Sequence, residues 1–289
     1  MDIKHIKFDN RNRPRSDFDL VRLEELLDRK IDHSLTQTHK IAFFNILVIT
    51  HGRGTHNIDF GAYPYQRGTL LTIRKDQLQR FSRAPDVEGY LLLFTEDFLA
   101  SHYGKTEVLR AFHLFNEQLA SPKIDLEPDE FEEILELVSI IQQDYYRAED
   151  EFSIGIIRSA LHLLVMKLFR FKARREGKLT RSHYLDEFLR LQQLIEGHCF
   201  ATKKALDYAR MMNRTTKTLN NICRTVLGKS AKALIDDILI TQIKRLLINT
   251  QLSITEVAYT AGFEEPTNFY KYFKRHVRSS PEAFRRIHA

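Results

Sequence analysis

The spacing of apolar residues changes its period part-way along this chain. From about residue 35 to 95 the apolar positions come in short runs broken by turn formers. Ile41–Thr50 is a rich apolar stretch that stops at His51-Gly-Arg-Gly54, and Thr55–Phe60 alternates. Gly61-Ala-Tyr-Pro64 reads as a turn, Gly68–Ile73 opens another strand, and Val87–Thr95 makes a last one. Short strands at this interval predict a small barrel or jelly roll. Beyond residue 128 the period becomes helical. Phe131, Ile134, Leu135, Val138 and Ile141 share one face, and Ile156, Ile157, Leu161, Leu164, Val165 and Leu168 form a broad stripe over 152–170. Lys172–Ser182 is polar and basic with one glycine, the composition of a hinge. The expected class is α+β, with a β-rich first part followed by helices.

Near the C-terminal end one pattern occurs twice. In the later copy, Ser253 followed by Glu256 is a capping box, so a short helix starts there. Ile254, Val257 and the small Ala258 give it a buried face, and Gly262 supplies the left-handed residue that turns the chain. Phe269 and Phe273 point inward from a second helix at i, i+4 spacing, leaving Thr267, Asn268 and Lys271 outside. The earlier copy runs from Ala205 to Leu219. There Ala209 stands to Asn213 as Ala258 stands to Gly262, and Asn is the next-best left-handed residue. Between the copies, Gly228-Lys-Ser230 reads as a stop followed by an N-cap. Ala231 to about Thr250 then has no breaker and carries Leu234, Ile235, Ile238, Leu239, Ile243, Leu246 and Leu247 as a stripe. Roughly 18 residues at 1.5 Å each make a rod of about 27 Å, comparable with a duplex turn of about 34 Å. Two helix-turn-helix units at the ends of such a rod are expected to read DNA in successive major grooves.

Charge agrees. Residues 201–289 hold sixteen Lys and Arg against seven Asp and Glu, a balance of +9, so the remaining 200 residues carry −3 of the total +6. A basic C-terminal third on a slightly acidic remainder is the electrostatic footprint of a nucleic-acid-binding module. In the first recognition helix Thr215 or Thr216 is the expected N-cap, and Leu219, Ile222 and Cys223 face inward. That leaves Lys217, Asn220, Asn221 and Arg224 outward, where Asn suits adenine and Lys or Arg suits guanine or phosphate. Phosphate contacts are expected from Arg214, Arg224, Lys244, Lys274 and Arg278.

Residues 183–289 resemble the DNA-binding domain of the AraC/XylS family of bacterial transcription regulators. The resemblance is carried by Ser253-Ile-Thr-Glu-Val-Ala, Ala261-Gly262-Phe263, Phe269-x-x-x-Phe273-Lys274 and Ser280-Pro281-x-x-Phe284-Arg285. The first unit is more divergent, with Asn213 at the turn and Asn220-Asn221 where Gln and Arg types are common. The resemblance implies base or groove contacts at Pro266, Thr267, Asn268 and Lys271. It also implies promoter DNA and RNA polymerase as partners, a homodimer formed through helices of residues 121–175, and a role as an activator.

Residues 1–120 resemble the cupin-like effector domain that precedes the reader in many proteins of this family. Phe43, Phe44, Tyr63 and Tyr90 are candidates to line an effector pocket, with Arg74, Lys75 or Arg80 to hold an anion. Metal-binding cupins carry a His-x-His with further Glu and His ligands. Here His39 stands alone before Ile41, Gln79 sits where a late His is frequent, and His51 and His56 flank a glycine turn. No metal, cofactor or catalytic set is expected. The alternative is a metal-free cupin-like small-molecule binder or enzyme with a DNA-binding appendage. Cys199 and Cys223 fit no metal spacing and suggest no disulfide. The apolar run at 41–49 is too short to cross a membrane, and the start lacks the apolar core of a signal peptide, so a cytoplasmic protein is expected.

Overall fold

The structure, a computed structural model, describes residues 3–10, 13, 16–28, 36–82, 86–100, 114–119, 121–146, 150–175 and 184–288. The chain divides into two compact units, Lys4–Leu179 and Thr180–Ala289.

In the N-terminal unit the strands are β1 (Lys4–Ile6), β2 (Phe18–Arg22), β3 (His39–Ile41), β4 (Phe44–His51), β5 (Arg53–Ile58), β6 (Gly61–Gln66), β7 (Thr69–Ile73), β8 (Leu78–Phe81), β9 (Glu88–Phe94) and β10 (Lys123–Asp125). They form two five-stranded sheets, ordered β1-β3-β8-β5-β6 and β10-β7-β4-β9-β2. Of the two expected forms, a small barrel or a jelly roll, the closed barrel is ruled out among the described residues, and the strands make a two-sheet arrangement. No ladder among the described residues joins an edge of one sheet to the other.

The reason lies in the second sheet, which is covered on both faces. Every residue from Phe44 to Ile49 is buried, so this strand reads as a continuous apolar run rather than an alternating one. Phe44, Ile46 and Val48 pack with Phe18, Leu92 and Phe94 against helices α3 (Pro128–Tyr146) and α4 (Ser153–Arg175). The intervening Leu47 and Ile49 pack with Leu71 and Ile73 against Ile58, Tyr65 and Phe81 of the first sheet. The result is three layers: sheet, sheet and helix pair. Two short helices, α1 (Leu23–Asp28) and α2 (Glu96–Ala100), follow β2 and β9.

Two local expectations are corrected. Gly61-Ala-Tyr-Pro64 is not a turn but the start of β6. The chain reverses earlier, at Asp59-Phe60, with Asp59 left-handed at φ 50. Pro64 is tolerated because β6 is an edge strand. Lys172–Arg175 belong to the last turn of α4, where the Lys172 ammonium donates to the Ser121 carbonyl; the rest of the expected hinge, 176–182, lies outside the described residues. Helices α3 and α4 share one core with the strands, through Phe131, Ile134, Leu161 and Leu164.

The C-terminal unit is all helical: α5 (Leu185–His198), α6 (Ala205–Met211), α7 (Thr216–Leu227), α8 (Ala231–Asn249), α9 (Ile254–Thr260), α10 (Pro266–Val277) and α11 (Pro281–His288). The long α8 touches α5, α6 and α7 on one side of the sequence and α9 and α11 on the other. At 19 residues it is about 28 Å long. Leu234, Leu239 and Ile243 are fully buried along it. At its end the Arg285 guanidinium donates to the Leu247 carbonyl at 2.8 Å, satisfying one of the last orphan acceptors.

Candidate nucleic-acid interface

Helices α6 and α7 form one helix-turn-helix, α9 and α10 the other. In each the turn hinges on a left-handed residue, Asn213 at φ 53 and Gly262 at φ 71. The closing hydrogen bonds match as well: Arg214 N–H donates to Ala209 O at 2.8 Å, and Phe263 N–H donates to Ala258 O at 3.0 Å. Ala209 and Ala258 are buried against the crossing helix.

Each recognition helix is built to start at a defined place. The Thr215 hydroxyl accepts from Thr218 N–H at 3.1 Å and caps α7. Helix α10 starts with Pro266 in its first turn after an extended Glu265, a position whose missing N–H costs nothing. Glu265 lends only its carbonyl, to Asn268 N–H at 3.0 Å. The short α9 has the full capping box between Ser253 and Glu256.

Inward faces are apolar. Leu219, Ile222 and Cys223 are fully buried in α7, as are Phe269 and Phe273 in α10. Phe263 stands edge-on to Phe269 with centroids 5.4 Å apart, and Phe273 stands edge-on to Phe284 at 5.7 Å. Burial pushes the Cys199 and Cys223 thiols up to about 11 and about 12, so both stay protonated and inert.

The outward faces hold the expected residues with one exception. Lys217, Asn221 and Arg224 on α7, and Thr267, Asn268, Lys271 and Lys274 on α10, are exposed. None of these side chains has a hydrogen-bond or ion-pair partner among the described residues. Exposed donors without partners, presented along the outward faces of two recognition helices, are what groove reading needs. Asn220 is different. Its amide donates to the Thr216 carbonyl at 3.1 Å, and its oxygen accepts from Ala231 N–H at 3.0 Å. Half-buried Asn220 therefore joins α7 to the start of α8 instead of facing outward with Asn221. Arg214 is half-exposed and paired with Glu187 at 2.8 Å. Lys244 places its ammonium 5.5 Å from the Phe284 ring centre, and Arg278 is exposed at the left-handed cap of α10.

The effector candidates do not converge. Phe44 is buried toward the helices, stacked on Phe94 and edge-on to Phe115. Tyr63 packs beside the core between the sheets. Arg74 pairs with Glu117 at 3.0 Å, and Arg80 is exposed. Tyr90 borders a separate crevice of about 260 Å³ with Arg22, Glu88, Leu135 and Gln142.

What the structure does gather between the sheets is a polar cluster. His39, His56 and Gln79 are buried there, and His56 Nε2 meets the Gln79 oxygen at 3.1 Å. Burial drives the His56 pKa down to about 4, opposed by its hydrogen bond to Gln79, with nearby His39 lowering it further. Of the eight buried side-chain atoms with no hydrogen-bond partner among the described residues, three lie here: His56 Nδ1, the Tyr65 hydroxyl and, on the second sheet, Asn45 Oδ1. The period-2 alternation of β5 and β6 places His56 beside Ile58 and Tyr65 beside Tyr63 on the inner face, and that pattern is the signal that could have found them.

A helix-turn-helix domain model matches residues 208–287, and an AraC-like ligand binding domain model matches residues 24–165. The chain belongs to the AraC/XylS family. Relatives of this AraC/XylS member include the HTH-type transcriptional activator RhaR of Enterobacter sp. (strain 638), 21% identical over 250 residues and covering 86% of each chain. The HTH-type transcriptional activator RhaS of Citrobacter koseri is 20% identical over 267 residues, 90% of this chain and 91% of that one. Among solved structures, ToxT of Vibrio cholerae O395 is 13% identical, with a TM-score of 0.41 over 94% of this chain and 98% of that one. No helix among the described residues is long and apolar enough to cross a membrane.

Proposed function

We propose that this protein is a sequence-specific transcription activator that reads two successive major-groove segments of promoter DNA under control of its N-terminal unit. One observation carries the reading: two matching helix-turn-helix units in one compact body, each presenting unpartnered Lys, Asn or Arg side chains from a capped recognition helix. Lys217, Asn221 and Arg224 serve the first segment; Pro266, Thr267, Asn268 and Lys271 serve the second. Arg214, Lys274 and Arg278 supply phosphate contacts. The relatives named as transcriptional activators support the activating role, and RNA polymerase is then the downstream partner, in the cytoplasm. The protein is not an enzyme on this reading.

The AraC-like ligand binding match supports a small-molecule effector. Its place is the space between the sheets, where His56 Nδ1, Tyr65 and Asn45 offer buried polar atoms awaiting partners. A homodimer through the helix pair fits the exposed Ile140 on α3, Phe152 just before α4, and Ile156 and Leu163 on α4, which are 42%, 65%, 41% and 44% exposed.

The test is selection of bound sequences from random DNA with the full-length protein, followed by titration against salt. A selected site bound more tightly than random DNA is expected, with a log–log salt slope of about −5 if about six phosphates are neutralised. Equal binding to every sequence overturns the reading.

A further inference from the structure

We propose that Lys203 is a positioning residue that fixes the spacing between the two DNA-reading units. The inference rests on the two-segment reading above but concerns a residue outside both recognition helices. Residues 200–204 join α5 to α6, and so lead directly into the first unit. The turn of the second unit lies against this junction. The Lys203 ammonium donates to the Gly262 carbonyl at 2.7 Å and stands 4.5 Å from the Phe263 ring centre. Contact is so close that a Cβ on Gly262 would lie 1.9 Å from the Phe200 carbonyl oxygen. Burial lowers the Lys203 pKa from its ordinary value, which marks the ammonium as partly withdrawn from water.

The junction is equally tied to the first unit. The Thr202 hydroxyl donates to the Asp207 carboxylate at 2.5 Å, and the Thr202 carbonyl accepts from the Tyr208 hydroxyl at 2.8 Å; Tyr208, on α6, is fully buried. A second route runs through α8. The Tyr272 hydroxyl of the second recognition helix donates to Asp236 at 2.9 Å, and Lys232 Nζ reaches the same oxygen at 2.7 Å. Lys232 Nζ also lies 3.5 Å from the Lys203 carbonyl. A lone helix about 28 Å long leaves two end units free to rock as it bends. The Lys203 clamp adds a direct tie that does not pass along α8, so the two heads are held by a closed circuit rather than a single strut. Holding them in register before binding removes an ordering cost that the complex would otherwise carry.

The experiment compares the wild type with Lys203→Met and Lys203→Arg on three duplexes. These are the selected site, the same site with one base pair inserted between its two elements, and a site with one element scrambled. For Lys203→Met, binding to the selected site is expected to fall about tenfold, in line with losing one charge-assisted hydrogen bond that orders the heads. Binding to the one-element site is expected to stay within about twofold, and the penalty for the inserted base pair to shrink, because loosened heads tolerate altered spacing. Lys203→Arg keeps charge and donors and restores most of the spacing penalty. Equal loss on all three duplexes, with a salt slope shallower by about 1, makes Lys203 a phosphate contact instead and overturns the proposal. An unchanged spacing penalty in a folded Lys203→Met protein overturns it too. If the wild type itself shows no preference for two elements, the two-segment reading fails first, and the spacing comparison reveals that separately.

Discussion

Alanine at the two helix-turn-helix turns should cost very different amounts, although the two positions do the same job. Gly262 and Asn213 are both left-handed, at φ 71 and φ 53. Putting an alanine in that conformation costs about 1 kcal/mol at either position. At Asn213, which is exposed, that is the whole cost. At Gly262 the new Cβ would meet the Phe200 carbonyl oxygen at 1.9 Å, well over 1 Å short of an ordinary contact. The obstructing atom is backbone and cannot rotate away. Relief requires the junction after α5 to move, which strains Ala201 N–H to His198 O at 2.9 Å and the Tyr208 hydroxyl to Thr202 O at 2.8 Å. Each such bond is worth about 1 kcal/mol net, so Gly262→Ala should lose about 3 kcal/mol against about 1 for Asn213→Ala. The chain has no Trp, so urea unfolding is followed by far-ultraviolet circular dichroism. Equal losses at the two turns, or a smaller one at Gly262, would refute the packing argument.

Three further outcomes follow from individual residues. Asn268→Ala should weaken binding to the selected site by about 10- to 100-fold, the range for a lost bidentate base contact, and leave random-sequence binding almost unchanged; equal weakening in a gel-shift titration would make Asn268 a backbone contact. Asn220→Ala should lower unfolding stability by about 1 kcal/mol through loss of its link to Ala231 N–H, while the ratio of selected-site to random binding holds; a collapsed ratio would return Asn220 to the groove. His56 titrates near 4 when folded, below its ordinary 6.5, so the unfolded chain takes up the proton first. The stabilisation is therefore complete above about pH 6.5 and falls by about 2 kcal/mol by pH 5, and that slope should be absent in His56→Gln when melting is compared at the two pH values.

Legibility along the chain followed how local the determining physics is. The capping box at Ser253, the left-handed Gly262 and Asn213, and the Ser230 N-cap depend on a few neighbouring residues, and all appear where their sequence places them. Asn220 escaped because its partner, Ala231 N–H, lies eleven residues away across a helix break, and helical periodicity is blind to such a link. Strand pairing is less local still. The run at 44–49 shows a buried strand, but not that helices cover one face and a second sheet the other, so strand spacing alone leaves a small barrel and a jelly roll undivided. Residue type alone does not locate an effector pocket, and Phe44 shows why. In β4 it is the neighbour Asn45, one residue along, that shares the inner face with Leu47 and Ile49.

Hydroxyl-radical footprinting of the full-length protein on its selected site tests the two-headed reader most directly. Two protected patches should appear on one face of the duplex, centred about one helical turn apart. Asn221→Ala should fade one patch and Asn268→Ala the other. A single patch, or two that fade together in either variant, would contradict the account.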